Sequence, residues 1–165
     1  MEDTLTLTLN GSERIIVIES TPDRFVVEAT YQQHGERPPM HVHPHHTESF
    51  TVLSGALRVG YADREQDYPV GATFDIGSGV AHRMWNAGET PTTVRWTSTP
   101  AGRVESFFRG MDALHRAGTT GLVSKAGVLR AHADVMRPSS PVTRMLVQVL
   151  GALRPAPAAA GESIR

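Results

Sequence analysis

Two periodicities divide the chain. Up to about residue 100, apolar positions alternate with polar ones or gather in short β-branched runs, and turn residues interrupt them at close intervals. Thr4–Leu9 alternates threonine with leucine, the period-2 signature of a half-buried strand. Asn10-Gly11 is a hairpin dipeptide, and the run Arg14–Glu19 that follows is β-branched at its centre. After the turn at Thr21-Pro22-Asp23, strands are predicted at Phe25–Gln33, His41–His43, Glu48–Leu53, Ala56–Tyr61, Thr73–Ile76, Ala81–Asn86 and Thr92–Ser98. Ser54-Gly55, Asp63–Asp67, Gly77–Gly79 and Gly88–Pro91 read as the turns between them. Many short strands with glycine-rich turns indicate an antiparallel sandwich or barrel.

The last third changes to helical spacing. Val104, Phe107, Phe108, Met111 and Leu114 predict one helix, and Val128, Leu129, His132, Val135 and Met136 a second. Ser140-Pro141 has the form of an N-cap followed by proline in the first helical position. The third helix that it opens is expected to bury Val142, Met145, Leu146, Val149, Leu150 and Leu153. The expected organisation is a β-barrel over residues 1–100, a helical extension over 101–154 that packs on the barrel or across a dimer, and a flexible tail over 155–165. The extension's basic, amphipathic character leaves a membrane surface as the lesser reading.

Composition narrows the possibilities. The 165 residues suffice for one domain with its own core. A net charge of −1 lacks the basic footprint of a nucleic-acid binder. The charge is uneven: residues 1–102 hold 7 basic and 13 acidic side chains, and residues 103–165 hold 9 and 4. The chain has 0 cysteines, which excludes disulfides, thiolate catalysis and cysteine-ligated metal sites. All basic residues but Lys125 are arginine, which suggests GC-rich bacterial coding. Met1–Asn10 has no basic n-region and no apolar run approaches a membrane span, so the expected location is the cytoplasm.

The chemistry concentrates in the histidines. Of the 8 in the chain, His41, His43, His45 and His46 lie within Met40–Thr47. His41 and His43 are two apart, so on a strand they share a face, roughly 6–7 Å apart at Cα. Two imidazoles at that separation can converge on one ion with bonds of about 2.0–2.1 Å. Glu48, at the start of the next strand, can add an oxygen, and His82 on a later strand is the candidate fourth ligand. His45 and His46 follow Pro44 and read as a polar loop at the barrel mouth; a sharper alternative makes one of them a ligand or a proton shuttle. His34 has no assigned role, and His115 and His132 are expected to be structural. If Glu48 points inward, so do Phe50 and Val52; if His82 does, so does Met84. Tyr61, Phe74 and Trp96 are further candidate pocket residues. This apolar and aromatic wall suits a small, largely apolar organic substrate, and no second carboxylate or arginine is expected to face the metal, although Arg83 and Arg95 flank inward positions.

The same residues carry a family resemblance. Gly35, His41, His43, Glu48 and Gly55 stand at the spacings of the first motif of the cupin superfamily, and Gly71, Gly77, Gly79, His82 and Asn86 resemble its second motif, with Gly77 in place of the usual proline. The resemblance covers about residues 10–100. It implies an all-β double-stranded β-helix, or jelly roll, here followed by the C-terminal helices. It further implies a three-histidine, one-glutamate shell of His41, His43, Glu48 and His82 around one divalent transition metal ion: iron, zinc, manganese or nickel. Asn86 matches a position that closes the second motif by hydrogen bonding. The activity expected is that of a mononuclear metal-dependent enzyme, with quercetinase-like dioxygenase chemistry preferred. The alternatives are a Lewis-acid cyclase, isomerase or lyase, in which Glu48 would leave the metal and act as the base, and a non-catalytic binding or scaffold module. A homodimer is expected, with the Thr4–Leu9 strand donated to a partner's sheet.

Overall fold

The structure is a computed structural model that describes residues 5–35, 37–119 and 121–153. Ten strands come first: β1 (Thr6–Asn10), β2 (Glu13–Ser20), β3 (Phe25–Tyr31), β4 (His41–Val42), β5 (Thr47–Ser54), β6 (Ala56–Tyr61), β7 (Glu65–Pro69), β8 (Thr73–Ile76), β9 (His82–Trp85) and β10 (Thr92–Thr99). Then follow α1 (Val104–Arg116), α2 (Leu122–Ala131), the two-residue strand β11 (Arg137–Pro138) and α3 (Pro141–Leu153). One sheet has the order β1-β2-β3-β10-β5-β8 and the other β11-β4-β9-β6-β7. Every pairing is antiparallel. The fold is a double-stranded β-helix with a helical extension.

Register aligns the apolar alternation of separate strands into rows. Ile15, Ala29, Val94 and Val52 are neighbours across four strands, and all are essentially inaccessible to solvent. The next row is Val17, Val27, Trp96, Phe50 and Phe74. The row after it joins Phe25, Ser98, Glu48 and Ile76, so the barrel's inward phase itself carries a carboxylate into the interior. Between β5 and β6, Gly55 has φ +71°, and a Cβ there would lie 2.5 Å from the Thr92 hydroxyl oxygen, so only glycine fits that turn.

Several boundaries differ from expectation. Asp63–Asp67 is not a turn alone: Glu65–Pro69 forms β7, which pairs with β6 although its own pattern is polar. The predicted second helix is misplaced. α2 ends at Ala131, His132 caps it, and Val135 and Met136 belong to the turn leading to β11. The N-cap reading at Ser140 holds, with Arg144 N–H donating to its carbonyl at 2.9 Å. The expected buried face of α3 is wrong. Val142, Met145, Leu146, Val149 and Leu153 are exposed, Leu150 is half-buried, and Val147 and Gly151 face the protein. The cause is close helix approach: a Cβ on Gly151 would lie 2.6 Å from the Ala126 carbonyl oxygen of α2, so the helix docks by its narrowest side. The edge of β1 is also partly covered, because Thr8 N–H donates to Asp112 Oδ1 of α1 at 2.9 Å. The expected tail at 155–165 and the start of the first predicted strand at Thr4 lie outside the described residues.

Candidate metal centre

Three imidazoles meet because two strands place them face to face. His41 on β4 is the direct cross-strand partner of His82 on β9, and their rings are 4.5 Å apart between centroids. His43 lies just beyond β4, with its ring 5.1 Å from His41 and 5.2 Å from His82. β5 then brings in Glu48, 1% exposed. Its Oε1 is 3.2 Å from His43 Nε2 and its Oε2 is 3.1 Å from His82 Nε2.

Backbone carbonyls orient these rings. Nδ1 of His41 lies 3.1 Å from the Pro39 oxygen, that of His43 2.8 Å from Val135, and that of His82 2.9 Å from Val80. A carbonyl only accepts, so each Nδ1 carries a proton, and in a neutral ring that tautomer turns a bare Nε2 to the centre. Burial holds the His43 imidazolium below its ordinary pKa, and burial with the charges of His82 and His43 lowers His41 to about 3. Burial thus favours the neutral form of His41 and His43, the form that ligates. Burial opposes charge on Glu48, but the positive charge of His43 when protonated, with N–H groups of His46 and His82, outweighs it and holds the carboxyl below the usual range.

The polar atoms at the centre lack protein partners. His46 Nε2, Glu48 Oε1, Glu48 Oε2 and His82 Nε2 are all buried without a hydrogen bond. Orphaned buried polar atoms are costly, and several aimed at one place mark a binding site rather than a core. The donor atoms of His41, His43 and His82 lie within 4.8 Å of one another, as do those of His43, His46 and Glu48. Imidazole nitrogens with one carboxylate suit a divalent transition ion, so this group could hold one.

His46 is not the polar loop residue expected. It is 4% exposed, whereas His45 beside it points to solvent. His34 pairs with Glu89 on the surface at 3.0 Å, away from the centre. Asn86 closes the second glycine-rich segment as expected: its Nδ2 donates to the Tyr31 and Thr90 oxygens, and its Oδ1 accepts from Gly88 N–H.

The six candidate pocket residues all come to the barrel interior. Phe50, Val52, Met84 and Trp96 are buried, and Tyr61 and Phe74 are partly buried against the same core. Phe50 stacks between Phe74 at 5.0 Å and Trp96 at 5.6 Å. Alternation did not reveal the polar atoms among them: Trp96 Nε1 and Ser98 Oγ are also buried without partners. Arg95 pairs outward with Glu28 at 2.6 Å, and Arg83 lies 3.8 Å from Glu65. A second carboxylate was overlooked. Glu13, half-buried opposite Tyr31, is pushed up to about 7 chiefly by burial, with a smaller push from Glu48. Its phase with Ile15 and Val17 was the available signal.

Comparison with known proteins agrees with this geometry. The cupin-domain family profile matches residues 27–98. The matched residues run from β3 to β10 of the barrel. Over 75 residues this chain is 35% identical to germin-like protein subfamily 1 member 13 of Arabidopsis thaliana, an overlap covering 40% of the chain and 33% of that protein. The chain thus spans about a third of the length of the curated relative it matches. Among solved structures, an RmlC-like cupin from Shewanella frigidimarina NCIMB 400 aligns with TM-score 0.54 and 19% identity, over 61% of this chain and 86% of that one. KdgF from Halomonas sp. aligns with TM-score 0.51 and 17% identity, over 57% and 84%. Hydroxypropylphosphonic acid epoxidase from S. wedmorenis aligns with TM-score 0.52 and 15% identity, over 58% and 55%. At these identities the likeness is one of fold.

Proposed function

We propose that this chain is a cupin and a metal-dependent enzyme acting on a small, largely apolar or aromatic organic molecule. The observation that carries the reading is the set of buried, unpartnered polar atoms, His46 Nε2, His82 Nε2 and both Glu48 oxygens, within two donor trios that share His43. His41, His43, Glu48 and His82 would hold one divalent ion. When bound, the ion would polarise a substrate oxygen as a Lewis acid and, if it is iron, supply the redox centre for dioxygenase-like chemistry.

The chain's own groups have distinct roles in this reading. The carbonyls of Pro39, Val135 and Val80 hold the imidazoles in the ligating tautomer. Phe50, Phe74 and Trp96 stack to form an apolar wall that excludes water and takes a flat substrate. Trp96 Nε1–H and Ser98 Oγ–H offer unused donors to a substrate oxygen. Dioxygenase-like chemistry is the first reading. A non-redox cyclase or isomerase, with Glu48 as the base, is the second. Residues 1–100 are the catalytic barrel of this proposal and 101–154 its extension, in a homodimer whose mass light scattering would check. Among the described residues no helix is long and apolar enough to cross a membrane.

The first test is metal content, by inductively coupled plasma mass spectrometry on full-length, untagged protein purified without chelators. Near-stoichiometric transition metal is expected, followed by metal-dependent loss of an aromatic substrate; oxygen uptake would mark the dioxygenase. No metal, even after reconstitution, overturns the reading. Saturable binding without turnover would leave a binding module.

A further inference from the structure

His46 belongs to neither of the two motifs that matched, yet it has the marks of a ligand. The ring is buried and stacks at 4.4 Å on His43, with an interplanar angle of 36°. Its Nε2 is enclosed and has no hydrogen-bond partner. Glu48 Oε1 faces it at 3.8 Å, beyond hydrogen-bond range.

We propose that His46 is a metal ligand, so that the donor set is four imidazoles and one carboxylate. The inference rests on the metal-site reading above. Glu48 is the joint: Oε1 faces His43 and His46 while Oε2 faces His82, so one carboxylate connects two donor trios that share His43. Neighbouring donors on one ion, at bonds of about 2.0–2.2 Å, stand roughly 3.0–3.5 Å apart. The His43–Glu48 and His82–Glu48 separations, 3.2 and 3.1 Å, are already those of such a shell. The His46–Glu48 separation is a few tenths of an ångström longer, within the reach of side-chain torsions.

The segment carrying His46 is also held. Gly79 N–H donates to the His43 carbonyl at 2.8 Å, and Ser78 Oγ–H donates to the Pro44 carbonyl at 2.6 Å. The turn that supplies these donors depends on Gly79, whose φ is +78°. Residues 43 and 44 are thus pinned to the Gly77–Gly79 turn, and His46 is delivered inward while His45 remains outside.

The donor set has a consequence for substrate class. Each protein donor removes one exchangeable position from the ion, so a fifth leaves one position fewer than the three-histidine, one-glutamate set. The site then selects substrates that approach through a single oxygen, such as a ketone, phenol or enol, over chelating 2-oxo acids and vicinal diols.

Cobalt(II) provides the test, because its visible spectrum responds to coordination number. Full-length wild type, His46→Ala and His43→Ala are each titrated with cobalt. His46→Ala is expected to bind at least about tenfold more weakly, with an altered visible band, and added imidazole is expected to restore the wild-type band. X-ray absorption on the cobalt-loaded wild type counts imidazoles without any variant and is expected to give four. Three imidazoles, or a His46→Ala protein with unchanged affinity and spectrum, overturns the inference and leaves the metal site standing. A wild type that binds neither cobalt nor zinc overturns both.

Discussion

The barrel and the helical extension use apolar residues in opposite ways. In the barrel, alternation has only two phases, so one inward residue determines the direction of all the others on its strand. Glu48, Phe50 and Val52 are buried together for that reason, as are Thr92, Val94, Trp96 and Ser98. In α3 the large apolar residues Val142, Met145, Leu146, Val149, Leu150 and Leu153 share one face by helical spacing, yet that face is not the one that docks. Packing selected Val147 and Gly151 and left five large apolar side chains in solvent. Amphipathic patterning therefore identifies the core face of the barrel strands and of α1, but not of α3, whose docking side is set by the close approach at Gly151.

The two regions nonetheless meet at the candidate metal centre. β11 pairs with β4, the strand that carries His41, with Arg137 opposite Val42 and Pro138 opposite His41. Ser139 N–H adds a bond to the Met40 carbonyl at 3.0 Å. The Val135 carbonyl that orients His43 comes from this same segment, beyond the end of the family match at residue 98. The extension thus completes the hydrogen bonding around His43.

The sharpest way to break the division is within the barrel. His43→Ala is expected to lose nearly all bound metal while its circular dichroism stays that of a folded barrel; normal occupancy would remove the site. Next comes the strap that joins the regions. Ser139→Pro deletes the Ser139 N–H donor and should loosen β11, weakening metal binding by roughly tenfold, the usual cost of disturbing a partner of a ligand. The ring 15N shifts of His43 should move with it. Unchanged shifts in a protein whose β11 amides exchange freely would show that the extension is not needed to orient His43.

Gly151→Val tests the extension itself. Its new Cβ would lie 2.6 Å from the Ala126 oxygen, so the helices must separate, at a cost of about 1–3 kcal/mol in urea unfolding. A stability equal to wild type would mean that α3 does not dock by this side.

A smaller effect is a pH dependence from Glu13. Its folded-state pKa is raised to about 7, above the unfolded value of 4.5, mainly by burial beside Tyr31, and burial likewise raises the Tyr31 phenol. Its contribution to stability is complete below pH 4.5 and is lost as pH rises through about 7. Glu13→Gln should flatten that decline in urea midpoints measured between about pH 5 and 8; an unchanged slope would remove Glu13 as its source. The smallest expected effect is at the exposed face of α3, where Met145→Gln should shift stability by no more than about 0.5 kcal/mol. A larger loss would mean that something covers this face.

The sequence by itself determined the barrel, most strand positions and the donor types. His-x-His on a strand, a carboxylate one turn later and a histidine at the start of another strand are local patterns, and local patterns survive because a strand's geometry leaves them few options. β7 was hidden because it is an edge strand with both faces wet, whose polar residues carry no alternation signal. Only the tertiary structure decided three things. It turned His46 inward by tying its segment to a distant glycine turn, placed Val135 behind His43, and chose the side on which α3 docks. Each depends on which backbone groups lie close to which, between segments from about 25 to 92 residues apart, and no periodicity along a single segment records that proximity.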